Sequence, residues 1–366
     1  MGLLDYYKQF EGMSEDEVNA GLREEAAERR RKALTRVEAL DLSQTTWPEL
    51  PHPRIVNALT FVARRGLHEY PHMRGTDLRT ELAEHHGVEP ERLILGNGAA
   101  ELLSAATRAL ISPGQMLLTR WPSYPLYPIM ARRAHGQAVR VSGGVGELLE
   151  AAGGTEVRAI ALGSPDDPSG ELLPTAELEQ LLAGLPEGVA VLLDEALVEF
   201  SDAQPSSSSL DLQERYPHLL VFRSFSKAWG LAGLRIGYAI GGPGSEALLA
   251  ELEPDLGVSE LSQAGALEAL RSCSKLVAER IAAICEERPR VIDGLRGMGF
   301  EVSDSQANFV WAAHPSVPGA ELAARLAQTG VLIAAGDALG EPQHVRIALR
   351  SKRASDRLLE AIAKAL

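Results

Sequence analysis

Ser224-Phe225-Ser226-Lys227 is followed eight residues on by Arg235, within Gly230-Leu231-Ala232-Gly233-Leu234-Arg235-Ile236-Gly237-Tyr238. A lysine amine can form an imine with an aldehyde. Ser224, Ser226 and Arg235 can donate hydrogen bonds to a phosphate, the arginine bidentately. The glycines let backbone approach a ligand closely. One imine-forming lysine with phosphate donors on either side is what a pyridoxal phosphate (PLP) site requires.

Three more polar clusters follow strand-length apolar runs, where ligands collect in doubly wound sheets. Gly96-Asn97-Gly98-Ala99-Ala100-Glu101 follows residues 93–95 and opens an Ala/Leu-rich helix, whose first N–H groups can bind an anion. Ser164-Pro165-Asp166-Asp167-Pro168-Ser169-Gly170 follows residues 159–162, and its prolines stiffen a loop that can aim a side chain. Asp194-Glu195 follows residues 189–193. A carboxylate ending a buried strand needs a partner or a shifted pKa. A protonated pyridine nitrogen is one such partner; a structural arginine or a helix cap is another.

The elements that position these clusters are legible as alternation. From about residue 90, short runs apolar on both faces alternate with helical segments, the pattern of a doubly wound α/β domain. The runs are 93–95, 116–118, 159–162, 189–193 and 219–222. Gly241-Gly242-Pro243-Gly244 breaks the composition. Beyond it the pattern predicts helices over 246–252 and 259–287, strands near 300–303, 308–312, 331–334 and 344–349, and a closing helix at about 354–365. A capping-box pair, Ser14 and Glu17, opens a helix over 14–38. The expected division is a large cofactor-binding domain at 45–245 and a smaller α/β domain made of 1–44 and 246–366. Residues 206–209, four serines, read as a mobile loop.

Composition narrows the function classes. With 366 residues, 45% of them apolar, the chain suits two domains of a soluble enzyme. Its formal charge of −14 disfavours nucleic acid and anionic membranes as partners. Arg29-Arg30-Arg31-Lys32 is offset by Glu24, Glu25 and Glu28 at helical spacing, as on a solvated helix face. Cys273 and Cys285 have no metal-site spacing and read as buried thiols on one helix. No apolar run reaches ~18 residues and no signal-peptide pattern opens the chain, so a cytoplasmic location is expected.

Together these motifs resemble the fold-type-I, PLP-dependent aminotransferases of class I and II, most nearly the histidinol-phosphate aminotransferase group. The likeness runs from about residue 40 to about residue 350 and is carried most specifically by the Ser224–Tyr238 string. It implies a mostly parallel, seven-stranded type of sheet in the large domain. It implies that Lys227 carries the cofactor Schiff base and that Asp194 keeps the pyridine nitrogen protonated. Ser224, Ser226 and Arg235, with the Gly98, Ala99 and Ala100 backbone, would hold the phosphate, and Tyr124 would stack on the ring. Arg346 would grip the substrate α-carboxylate, with Asn97 as a further substrate contact; Asn308 lies in an Ala-Asn-Phe string that recurs in the family. Tyr70 would reach into a partner subunit's phosphate site, which implies a homodimer with shared sites. The implied reaction moves an amino group between an amino acid, or histidinol phosphate, and a 2-oxo acid.

Three positions depart from the family pattern. Asp167 stands where an asparagine donates to the cofactor's phenolic oxygen, and an ionised carboxylate cannot donate. Leu197 replaces the tyrosine of an Asp-Glu-Ala-Tyr string, the second usual donor. An anion facing that oxygen favours the protonated Schiff base, so the yellow form is expected to persist to unusually high pH. Ala334 replaces an arginine that meets the phosphate of histidinol phosphate, with Arg350 or Arg23 as substitutes. These departures leave two other readings open, a PLP-binding protein of weak or altered activity and a decarboxylase of a phosphorylated amino acid. A dinucleotide-binding domain is a weaker rival, since Gly96-Asn97-Gly98 lacks the full glycine fingerprint.

Overall fold

The computed structural model describes residues 39–366. The helix expected over 14–38, with the basic run inside it, lies outside the described residues, as does Arg23.

A seven-stranded sheet is built from β1 (Leu93–Gly96), β2 (Met116–Arg120), β3 (Gln137–Val141), β4 (Val157–Gly163), β5 (Ala190–Asp194), β6 (Leu219–Ser224) and β7 (Gly237–Gly241).

 

The strand order is β1-β7-β6-β5-β4-β2-β3, parallel throughout except for β7, which runs against both its neighbours. The central strands are buried on both faces because helices cover the sheet, which is why they read as unbroken apolar runs. Two strands escaped the sequence pattern. β3 is a half-exposed edge, and β7 begins and ends in glycine, so neither is a continuous apolar run.

The register brings the chemistry to one edge. Gly163 pairs with Asp194 at the ends of β4 and β5, and Asp194 pairs with Phe222, two residues before Ser224 ends β6. Ser224 lies opposite Gly237 on β7. A Cβ on Gly237 would sit 2.5 Å from the Ala99 nitrogen, so glycine here lets the helix Ala99–Leu110 bring its N-terminus to the same edge.

A second sheet, all antiparallel, has the order β10-β11-β9-β8, from β8 (Glu301–Val302), β9 (Phe309–Ala313), β10 (Ala334–Ala335) and β11 (His344–Ala348). The closing helix is Lys352–Ala365, capped by Ser351 accepting from the Ala354 N–H. Leu42 ties the start of the described chain to this region: its N–H donates to Leu332 O and its carbonyl accepts from Ala348 N–H.

Three local expectations change. The helix expected over 259–287 is two helices, Glu260–Ser272 and Ser274–Gly297, meeting at Cys273. The second continues through Pro289 despite the missing N–H, anchored by buried Arg288, which donates to Phe200 O at 2.8 Å and pairs with Asp202 at 2.9 Å. Cys273 is buried at the junction, whereas Cys285 is only half-buried. The serines at 206–209 are structured: Ser208 and Ser209 open the helix Ser208–Gln213, and Ser206 O accepts from Arg223, itself paired with Glu195 at 2.8 Å in the interior. Among the described residues, no helix is long and apolar enough to cross a membrane.

Candidate active site

Lys227, Asp194, Ser224, Ser226, Arg235, Tyr124, Asp167, Ala99 and Ala100 all line one cavity of about 220 Å³. Residues spread over more than a hundred positions meet because the strand ends and the helix N-terminus share one edge.

At one end are groups that can donate to a phosphate. Ser224 Oγ donates to Ser226 Oγ at 2.9 Å and accepts from the Ser226 N–H at 3.1 Å. Arg235 reaches Ser226 Oγ at 3.4 Å and the Asn97 carbonyl at 3.4 Å. Its backbone is left-handed, at φ 50°, an uncommon conformation for a residue other than glycine. A Cβ on Gly98 would lie 2.4 Å from Arg235 Nη2, so Gly98 makes room for the guanidinium. Two hydroxyls, a guanidinium and the first-turn N–H groups of a helix are a donor set that fits a phosphate.

Asp194 stands deeper. Its Oδ2 accepts from Tyr127 Oη at 3.2 Å and its Oδ1 from the Ala196 N–H at 3.1 Å. Burial raises its pKa to about 6, against the hydrogen bonds from Ala196 and Tyr127. A carboxylate so placed is stabilised by a cation, and a protonated pyridine nitrogen supplies one. Lys227 Nζ donates to Thr45 Oγ1 at 2.5 Å. Desolvation holds the lysine below its ordinary pKa, which favours the uncharged amine that imine formation needs. The cavity thus offers phosphate, ring-nitrogen and aldehyde partners together, and these residues fit PLP.

The opposite edge differs from the family pattern, as the sequence indicates. Asp167 pairs with Arg346, each side chain 14% exposed. Arg346 therefore balances the charge on Asp167, which removes the basis for expecting the yellow form to persist to unusually high pH. Leu197 is buried against the cavity and supplies no hydroxyl.

Some expected residues stand elsewhere. The Asn97 side chain is turned to Glu101, with contacts at 2.9 and 3.1 Å, so only its carbonyl takes part, through Arg235. Tyr70 is 85% exposed and lines a separate surface depression. Arg350 donates to the Thr46 and Gln44 carbonyls, and Asn308 to the Thr45 carbonyl at 2.8 Å. Two contributors were missed from sequence. Thr45 touches the lysine from 182 positions away, and no motif marks it. Tyr127 carries a weak signal, a tyrosine three residues beyond Tyr124 at the start of a helix.

Residues 37–362 match the family model described as aminotransferase class I and II. This chain belongs to that family. The aminotransferase is 36% identical over 330 residues to a Corynebacterium efficiens protein named aromatic amino acid aminotransferase, covering 88% of this chain and 92% of that protein. It is 33% identical over 306 residues to a histidinol-phosphate aminotransferase of an Anaeromyxobacter species, covering 82% and 84%. Its fold matches the Sinorhizobium meliloti histidinol-phosphate aminotransferase solved with pyridoxal-5'-phosphate, with a TM-score of 0.79, 26% identity and 93% of each chain covered. The aminotransferase is PLP-dependent, as its family is, and the dinucleotide-binding reading falls.

Proposed function

We propose that this aminotransferase takes an aromatic amino acid as amino donor and a 2-oxo acid as acceptor. The observation that carries this is the loss of the expected phosphate arginine. Ala334 stands in its place, and Arg350 is engaged by the backbone carbonyls of Gln44 and Thr46. Among the described residues histidinol phosphate then lacks that partner, whereas an aromatic amino acid does not need it.

PLP, when bound, supplies an aldehyde that condenses with primary amines and a ring that stabilises charge at the substrate α-carbon. In this reading Lys227 Nζ would hold the aldehyde and, as a free amine, would move a proton at the substrate α-carbon. Asp194 would hold a proton on the ring nitrogen, and Tyr127 orients Asp194. Ser224, Ser226, Arg235, Ala99 and Ala100 would anchor the phosphate, with Gly98 leaving room for the Arg235 guanidinium. Tyr124 would cover the ring and Arg346 would receive the α-carboxylate.

A donor screen with 2-oxoglutarate as acceptor tests the substrate. Phenylalanine and tyrosine are expected to exceed histidinol phosphate in kcat/KM by more than about tenfold, the worth of one lost charged contact. The reverse order overturns the reading.

We also read residues 45–245 and the 246–366 region, joined by 1–44, as two domains; the two sheets and the Leu42 hydrogen bonds support this. Tyr70 is read as acting in a partner subunit, which its exposure beside Met73 and Leu256 favours. Sedimentation is expected to show a dimer at micromolar concentration. A monomer that retains full turnover rules out shared sites.

A further inference from the structure

We propose that Asp167 is a specificity-determining residue that weakens the hold of Arg346 on a substrate carboxylate. This rests on the reading of Arg346 as the carboxylate receptor.

Arg346 projects from β11 and Asp167 from the loop after β4, and the two meet through Nη1 and Oδ1. The remaining contacts of the guanidinium are slight. Nη2 lies 3.5 Å from the Ser43 carbonyl, and Nε is buried without a hydrogen-bond partner. A buried donor left unpaired is unfavourable, so the arginine retains capacity for another acceptor. The Asp167–Arg346 pair is already neutral, however. A substrate carboxylate makes three charged groups with a net charge of −1, where asparagine at 167 would leave a neutral pair. Both side chains are largely withdrawn from water, so the repulsion is weakly screened. An amino alcohol, which has no α-carboxylate, escapes this effect. Asp167 therefore narrows the preference for an amino acid over its amino alcohol.

The test uses the full-length holoenzyme and Asp167→Asn, with 3-phenylpropionate as the carboxylate probe and 3-phenylpropionamide as its neutral counterpart. Calorimetry is expected to show 3-phenylpropionate binding about tenfold tighter to the variant, with the amide unchanged. The ratio of kcat/KM for phenylalanine over phenylalaninol is expected to rise by a similar factor. Equal or weaker carboxylate binding by Asp167→Asn overturns the proposal and makes Asp167 a support for Arg346. Arg346→Gln separates the two readings. If it leaves carboxylate affinity unchanged in both backgrounds, the Arg346 reading fails and the proposal with it. If it removes the affinity while Asp167→Asn adds none, only the proposal fails. Should the probe bind neither protein measurably, phenylglyoxal modification of Arg346, followed by peptide mass spectrometry, decides. Several-fold faster modification in Asp167→Asn supports the proposal, and equal rates overturn it.

Discussion

Lys227→Ala is expected to abolish covalent retention of PLP after borohydride reduction and to lower turnover by about 10⁴-fold, the upper range for a positioned acid–base group. The reason lies in its surroundings. Lys275, Lys352 and Lys364 are exposed, so among the described residues Lys227 is the one lysine withdrawn from solvent. Its amine is desolvated, which keeps it below the ordinary lysine pKa. Its carbonyl accepts from the Gly230 N–H at 3.0 Å, which fixes the turn that presents it. Mass spectrometry of the reduced protein and steady-state rates check this. Retained cofactor adduct, or turnover within tenfold of the parent, would place the chemistry on another lysine.

Asp194→Asn is expected to lower turnover by about 10²–10³-fold, as when a preorganised electrostatic partner is removed. It should also change the pH dependence of cofactor binding. In the cofactor-free protein the Asp194 pKa is raised to about 6 by burial. Above that pH the carboxylate is ionised and can pair with a protonated ring nitrogen; below it, protonation cancels the attraction. A cation in the bound state depresses the pKa, so PLP affinity should fall as pH drops through about 6. The asparagine variant should lack that component, while titration of the cofactor phosphate remains in both proteins. PLP titrations on either side of pH 6 read the difference. Identical pH profiles would mean that Asp194 does not partner the ring.

Much of the site was legible because its residues lie in short local strings. Ser224, Ser226, Lys227 and Arg235 lie in one short sequence string, and Asp194 ends one apolar strand. The seven-stranded sheet was legible only in part. β3 and β7 lack continuous apolar runs, and the break between Glu260–Ser272 and Ser274–Gly297 has neither glycine nor proline to announce it. Asp167 and Leu197 could be recognised as departures, but their consequences could not be read, since a carboxylate's effect depends on what balances it.

The sequence alone determined the local chemistry: a lysine able to form an imine, groups able to donate to a phosphate, a carboxylate at a strand end, and an alternating pattern that places strand ends together. Tertiary structure decided the long-range pairings. Asp167 meets Arg346 across 179 positions, and Lys227 meets Thr45 across 182. Such contacts depend on how the strand-end loops pack against the second sheet, and no periodicity records that. The Lys227 motif therefore points to the cofactor, while only the fold shows that Asp167 is balanced by Arg346.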